Sequence, residues 1–83
     1  MSLEKHNFLN EFPDHHHTIR HLKMNDAHFS KMLNEYNELD HEVYRIESGD
    51  EPRSDDYLEQ QKLRRVHLKD QLIGRVKQEE AAQ

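Results

Sequence analysis

Apolar residues recur every seven positions in the first half of the chain, and a second series follows most of them by three residues: Leu22, Phe29, Tyr36 and Val43, then Met32, Leu39 and Ile46. This spacing is the a/d pattern of helices that pack side by side. Extended backwards from Phe29, the same register places polar side chains at the a and d positions, with Leu22 as the exception. The predicted seam is therefore strong from Phe29 to Ile46 and weak before it.

Residues that start and stop helices divide the chain. Pro13 suits the first turn of a helix but not its interior. Asn25-Asp26 has the composition of an N-cap, which predicts a kink or a restart there. Ser48-Gly49 is typical of a helix end, because glycine tolerates the left-handed conformation of a C-terminal cap. The predicted segments of a single domain are an N-terminal extension 1–12, a first helix 13–48, a loop 49–54, a second helix 55–77 and a frayed tail 78–83.

The second segment has one apolar face with two neighbours to one side: Leu58, Leu68, Leu72 and Val76, then Val66 and Ile73. A short loop forces two helices to run antiparallel. With Ile46 opposite Leu58, the apolar positions of the two helices coincide along most of their length. The sequence therefore predicts an all-α fold, an antiparallel two-helix hairpin.

The predicted apolar faces are too wide for a hairpin alone. On the second helix they span about 160° at 3.6 residues per turn, which one facing helix cannot cover. The simplest solution is a second copy, giving a four-helix homodimer, and an unidentified protein partner is the alternative. The residues predicted for the hairpin seam and the interface are Phe29, Met32, Tyr36, Leu39, Val43, Ile46, Leu58, Val66, Leu68, Leu72, Ile73 and Val76.

Charge is distributed unevenly along the chain. Residues 1–56 carry 13 acidic and six basic side chains, whereas residues 57–83 carry four acidic and six basic ones. The hairpin sets the acidic run of the first helix against the basic run of the second, with Asp40 predicted to pair with Arg64 or Arg65. Such pairs choose orientation and partner rather than hold a fold together. Because the acidic half competes for the basic helix, we do not expect nucleic acid as a partner.

Four histidines lie within residues 15–21. His17 and His21 have the i, i+4 spacing with which one helix face supplies two zinc ligands. A third ligand is lacking, since His28 lies about 10 Å further along the helix. We therefore expect surface histidines and no metal site or cofactor. The alternative is a histidine-rich end that binds metal or responds to pH, where protonation of His15, His17 and His21 loosens an association.

The chain lacks the signatures of catalysis. It has no cysteine, and its two glycines, Gly49 and Gly74, cannot form a phosphate-binding loop. No apolar run has the length of a signal peptide or a membrane span, so we expect a cytoplasmic protein without membrane contact. Only 33% of the residues are hydrophobic and 35% are charged. This composition favours a non-enzymatic interaction or oligomerisation module, acting as an adaptor or small regulator.

Several short motifs occur in a characteristic order. They are Phe12-Pro13, Leu22-Lys23, Phe29, Leu39-Asp40, Val43 and Glu47 on the first helix, and Lys62, Arg65 and Leu68-Lys69-Asp70 on the second. In this order and spacing the chain resembles the YdcH-like family of small bacterial proteins, over about residues 12–77. The resemblance implies a helical hairpin in the bacterial cytoplasm, in a domain of unknown function without an assigned activity, cofactor or substrate.

Overall fold

A computed structural model of the chain describes residues 12–82, which form three α-helices and no strand. A 3-10 turn, Pro13–His15, leads into α1 (His16–Asn25), which is followed by α2 (Ala27–Glu47) and α3 (Asp55–Ala82). The helices α2 and α3 are antiparallel, and α1 contacts both of them at the end away from their loop. The all-α class is confirmed. The two-helix hairpin was wrong, because the first predicted helix is divided into α1 and α2.

A single extended residue, Asp26, separates α1 from α2. It has φ −127° and ψ 101°, and its carboxylate accepts a hydrogen bond from the Phe29 amide at 3.0 Å. The Nε of Arg75 in α3 donates a second hydrogen bond to this carboxylate, also at 3.0 Å. The Phe29 amide is the main reason that the pKa of Asp26 is lowered. The cap and the arginine together fix the point at which the chain turns.

Glycine ends α2 and serine starts α3. Gly49 has a φ of 88°, its amide donates to the Ile46 carbonyl, and the Asp50 amide donates to the Arg45 carbonyl. This is the Schellman pattern, which needs a residue that tolerates the left-handed conformation. After a short loop, Ser54 Oγ accepts a hydrogen bond from the amide of residue 57 at 3.2 Å. The two caps therefore set the turn that makes α2 and α3 antiparallel.

The last helix continues to Ala82, so the predicted frayed tail was wrong for residues 78–82. The extension contacts the first turns of α1. Glu80 accepts hydrogen bonds from Thr18 Oγ1 and His15 Nδ1, each at 2.8 Å. These contacts explain the extra helical turn, because tertiary packing rather than local propensity stabilises most helices in proteins.

The core lies where the three helices meet. Its buried members are Ile19, Leu22, Phe29, Leu33, Tyr36, Leu39, Leu68, Leu72 and Val76. The side chains of Ile19 and Leu22 come from α1 and are 0% and 2% exposed. Part of the wide apolar arc on the last helix is therefore covered by α1 of the same chain. None of the helices in residues 12–82 is both long and apolar enough to cross a membrane.

Candidate interaction surface

A buried ion pair fixes the register of α2 and α3. Arg65 Nη1 lies 2.8 Å from Asp40 Oδ1, and the two side chains are 21% and 7% exposed. A carboxylate this deeply buried requires a partner, so the pair holds the two helices at one relative height. Arg64 is exposed and forms no ion pair with any residue in 12–82. Of the two arginines predicted to meet Asp40, the structure therefore places Arg65 against it.

Two further contacts join the helices near the loop. Lys62 Nζ lies 2.8 Å from Glu47 Oε2, and the Tyr57 hydroxyl donates to Glu42 Oε2 at 2.8 Å. The hydrogen bond to Glu47 raises the pKa of Lys62, and the hydrogen bond to Glu42 raises the pKa of Tyr57. Both groups donate hydrogen bonds that join α2 and α3.

The histidine-rich end divides between two environments. His15 contacts Glu80 as described, and His21 Nε2 lies 3.7 Å from Glu79 Oε2 on the same turn of α3. The hydrogen bond from His15 is the largest of the effects that lower the pKa of Glu80. These two histidines therefore belong to a charged contact between α1 and the end of α3.

The two histidines considered as zinc ligands, His17 and His21, share no neighbour in residues 12–82 that could complete a site. His17 is exposed on α1, whereas His21 faces the last helix. Within the part of the chain that the structure describes, no three histidine, aspartate or glutamate side chains are grouped so that they could hold a metal ion. The geometry of this end favours helix docking over metal coordination.

The residues predicted for the seam and the interface fall into three groups. The buried ones are Phe29, Tyr36, Leu39, Val43, Leu68, Leu72 and Val76. The partly buried ones are Met32, Ile46, Leu58 and Ile73. Val66 alone of the twelve is classed as exposed, at 50%. Most of the predicted surface is thus used inside the chain, and Val66 is the member that stays exposed.

Val66 belongs to a stripe along the outer side of α3. Leu63 is 62% exposed, Val66 is one turn further on, and Ile73 is half-buried. We call this the outer stripe and define it by the alternating three- and four-residue spacing of Glu59, Leu63, Val66, Asp70, Ile73 and Lys77. These positions lie within an arc of about 80° around the helix axis. The spacing is that of a helix–helix seam, with charges of opposite sign towards its two ends.

Two open grooves lie between α2 and α3. One has a volume of 290 Å³ and is lined by Glu35, Glu38, Leu39, Glu42, Arg45 and Arg64. The other has a volume of 540 Å³ and includes Met32 and Leu68 in its lining. Leu39 and Leu68 are already buried, at 6% and 9% exposure, so a molecule in either groove gains little apolar contact. Both grooves are open to solvent rather than enclosed, unlike the usual ligand site.

Two core residues were not assigned to the seam by the seven-residue pattern. Ile19 is buried on α1, and Leu33 is 3% exposed on α2. A local signal was present, since Ile19 and Leu22 are three residues apart and Leu33 follows Phe29 by four, which places each pair on one helix face. The seven-residue pattern concealed it, because that pattern treats the first helix as continuous.

Comparison with known families supplies the context. Residues 29–75 match the family described as "Protein of unknown function (DUF465)". The chain belongs to this family. The DUF465 match runs from the first turn of α2 almost to the last turns of α3 and includes the Asp40–Arg65 pair. No curated protein and no solved structure matches the chain. The family description assigns no activity, so function has to be argued from the surface.

Proposed function

We propose that the chain is a protein–protein interaction module that pairs with a second copy through the outer stripe of α3 and acts without catalysis. The observation that carries this proposal is the exposure of Leu63 and Val66 one turn apart on the longest helix. Adjacent exposed apolar side chains on a small protein are typical of a contact surface. The proposal is compatible with the DUF465 membership and with the YdcH-like resemblance, neither of which implies a chemistry.

The distribution of charge identifies a second copy as the occupant of the stripe. When two α3 helices pack antiparallel about a two-fold axis near residue 68, Leu63 of each copy lies opposite Ile73 of the other. In the same register Glu59 lies opposite Lys77, and both side chains are exposed in the single chain. A two-fold axis repeats each of these contacts, so one favourable pair counts twice. The stripe is therefore complementary to itself in both apolar character and charge.

The expected association is weak. Complete burial of a leucine or valine contributes about 1.5–3 kcal/mol, and Leu63 and Val66 are already partly buried, so each adds about 1 kcal/mol in the dimer. Val66 also adjoins Asp70 of the other copy, which interrupts the apolar contact. Association costs at least about 4 kcal/mol in lost freedom of motion. Over the two copies these gains come to about 4 kcal/mol, close to the least cost of association, so we expect a dissociation constant of roughly millimolar or weaker.

Sedimentation equilibrium over a hundredfold concentration range tests the pairing. The unmodified chain is expected to show an average mass that rises above that of the 10.1 kDa monomer as its concentration increases. Val66→Glu places a charge in the stripe and should leave a monomer throughout. The matched control is His67→Glu, which adds the same charge at the next residue, on an exposed position outside the stripe. Persistence of the dimer in Val66→Glu, or its equal loss in both variants, would contradict the proposal.

Charge reversal tests the register. Glu59→Lys alone brings two lysines together at each end of the paired helices and should weaken the dimer. Adding Lys77→Glu restores opposite charges in the antiparallel register and should restore the association. If the double variant is as weak as the single one, the two residues do not face each other and the proposed register is wrong.

A further inference from the structure

The helix α1 reaches its binding surface through a one-residue connection. Asp26 alone lies between α1 and α2, and residues 16–47 contain neither glycine nor proline. The Asp26 amide donates to the Leu22 carbonyl at 2.8 Å, and the Asp26 carbonyl accepts from the Ser30 amide at 3.0 Å. Helical hydrogen bonds thus reach Asp26 from both sides. A change in the backbone conformation of this one residue is enough to join the two helices.

The Asp26 carboxylate stabilises the break between α1 and α2. It accepts a hydrogen bond from the Phe29 amide, which in a continuous helix would donate to the Asn25 carbonyl instead. It also receives the hydrogen bond from Arg75. Since the Phe29 amide is satisfied in either conformation, the balance between the broken and the continuous helix depends on the side chain of Asp26.

The surface on which α1 packs is complementary to this helix in apolar and polar contacts. Ile19 and Leu22 are almost completely buried and share one core cluster with Leu72 and Val76. Beside that cluster, Glu80 accepts hydrogen bonds from Thr18 of α1 and from His15 in the turn that precedes it. Joining α1 to α2 carries Ile19 and Leu22 away from this surface and exposes its apolar residues. The sequence that fits the vacated surface is α1 itself, and a second copy supplies it.

We propose that the surface formed by α2 and α3 binds α1 of a second copy when Asp26 becomes helical, so that two chains exchange their first helices. The exchanged dimer reproduces between chains each contact that α1 makes within one chain, and the two forms differ chiefly at residue 26. The joined helix, residues 16–47, is about 48 Å long at 1.5 Å per residue. This exceeds the 44 Å length of the whole molecule, so α1 extends far enough to reach another copy. The exchange does not depend on the outer stripe.

The chain has no cysteine of its own, so two introduced cysteines can report where α1 lies. They distinguish the closed form, in which α1 packs on its own chain, from the exchanged form, in which it packs on a second copy. His21→Cys and Glu79→Cys replace side chains that lie 3.7 Å apart across the contact of α1 with α3. A short bismaleimide joins them within one chain in the closed form and between two chains in the exchanged dimer. Val66→Glu is added to remove pairing through the outer stripe, so that failure of this proposal and failure of the proposed function remain distinguishable. Denaturing electrophoresis then separates products of one and two chain masses.

The decisive comparison is between Asp26→Ala and Asp26→Asn in this background. Both remove the charge that faces Arg75, but asparagine is about as good an N-cap as aspartate, whereas alanine is a poor one. Loss of one cap costs about 1 kcal/mol, which shifts the equilibrium between the broken and the continuous helix roughly fivefold. The exchanged dimer contains two such junctions. We therefore expect Asp26→Ala to raise the ratio of interchain to intrachain product by about 25-fold over Asp26→Asn.

Circular dichroism establishes that each variant keeps its helix content. Should Asp26→Ala lose its helices, Asp26→Glu serves as a second variant, since glutamate keeps the charge and favours helix but is not a preferred N-cap. Products of one chain mass alone from the folded variants would overturn the proposal. Equal interchain ratios in Asp26→Ala and Asp26→Asn would also overturn it, because the cap would then have no part in the exchange.

Discussion

Replacement of Arg65 by methionine is expected to destabilise the fold through the carboxylate that it leaves behind. The Arg65 side chain is 21% exposed and that of its partner Asp40 only 7%. The distance from Arg65 Nη1 to Asp40 Oδ1 is 2.8 Å. Methionine keeps most of the packing of the arginine stem but cannot donate a hydrogen bond. The Asp40 carboxylate would then lie between α2 and α3 without its cation.

The magnitude follows from the burial of the two groups. Removal of one partner from a fully buried ion pair costs about 3–5 kcal/mol. Water can reach the Asp40 carboxylate through the space that the partly exposed guanidinium occupied, so we expect a loss of roughly 2–3 kcal/mol. Asp40→Asn should cost less, about 1 kcal/mol, because Arg65 can turn towards solvent. The double variant Asp40→Leu, Arg65→Met should recover most of the loss, because no charge remains buried.

Urea unfolding followed by far-ultraviolet circular dichroism measures these differences. All variants are compared at one low protein concentration, so that self-association contributes equally to each measurement. Arg64→Met is the matched control. It makes the same chemical change at the next residue, where the side chain is exposed and has no ion pair within residues 12–82. It should change the free energy of unfolding by less than about 0.5 kcal/mol. Equal losses for Arg65→Met and Arg64→Met would refute the reasoning.

Three further predictions concern pH and the two glycines. The hydrogen bond from His15 lowers the pKa of Glu80 below its ordinary value of 4.5 in the folded chain. The stabilisation that ionised Glu80 gives to the folded chain is therefore present above that value, and it is lost as pH falls through the folded pKa. Glu80→Gln should flatten the fall in unfolding free energy measured between neutral and acidic pH, and an unchanged pH profile would contradict this. A Cβ at Gly74 meets no atom within 4 Å, so Gly74→Ala should stabilise α3 by about 0.5–1 kcal/mol in urea unfolding. Gly49→Ala should instead destabilise the chain, because residue 49 has a φ of 88°.

The class of the fold could be predicted from the sequence, but the number of helices could not. The seven-residue pattern and the helix end at Ser48-Gly49 contain enough information for two long antiparallel helices. The Asn25-Asp26 cap predicted a kink or restart, and the structure has a full break there, with the Asp26 carboxylate bound to Arg75, which is 49 residues away in sequence. Local pattern cannot register such a contact, so it did not indicate that α1 folds back onto α2 and α3.

The surface could be predicted in part for the same reason. Val66 was assigned to the interface from the width of the apolar arc, whereas Leu63 was set aside because it lies half a turn around the helix from Leu72. The arc itself was interpreted as a surface for a second copy, although α1 covers part of it by folding back. The histidines show the same limit. Local spacing placed His15 and His21 at one end of the first helix, but it could not show that they face Glu80 and Glu79 near the end of α3.

The extent of the DUF465 match separates the two proposals. It includes Asp40, Arg65 and the outer stripe as far as Ile73, but it ends before Glu80 and begins after Asp26. Pairing through the stripe thus depends mainly on residues inside the matched span, and the same physical argument can be applied to any member that carries apolar side chains at these positions. Exchange of α1 depends on residues outside that span. The match therefore gives no ground for extending the exchange to other members, and it has to be established from the capping residue and the α1 contacts of each chain.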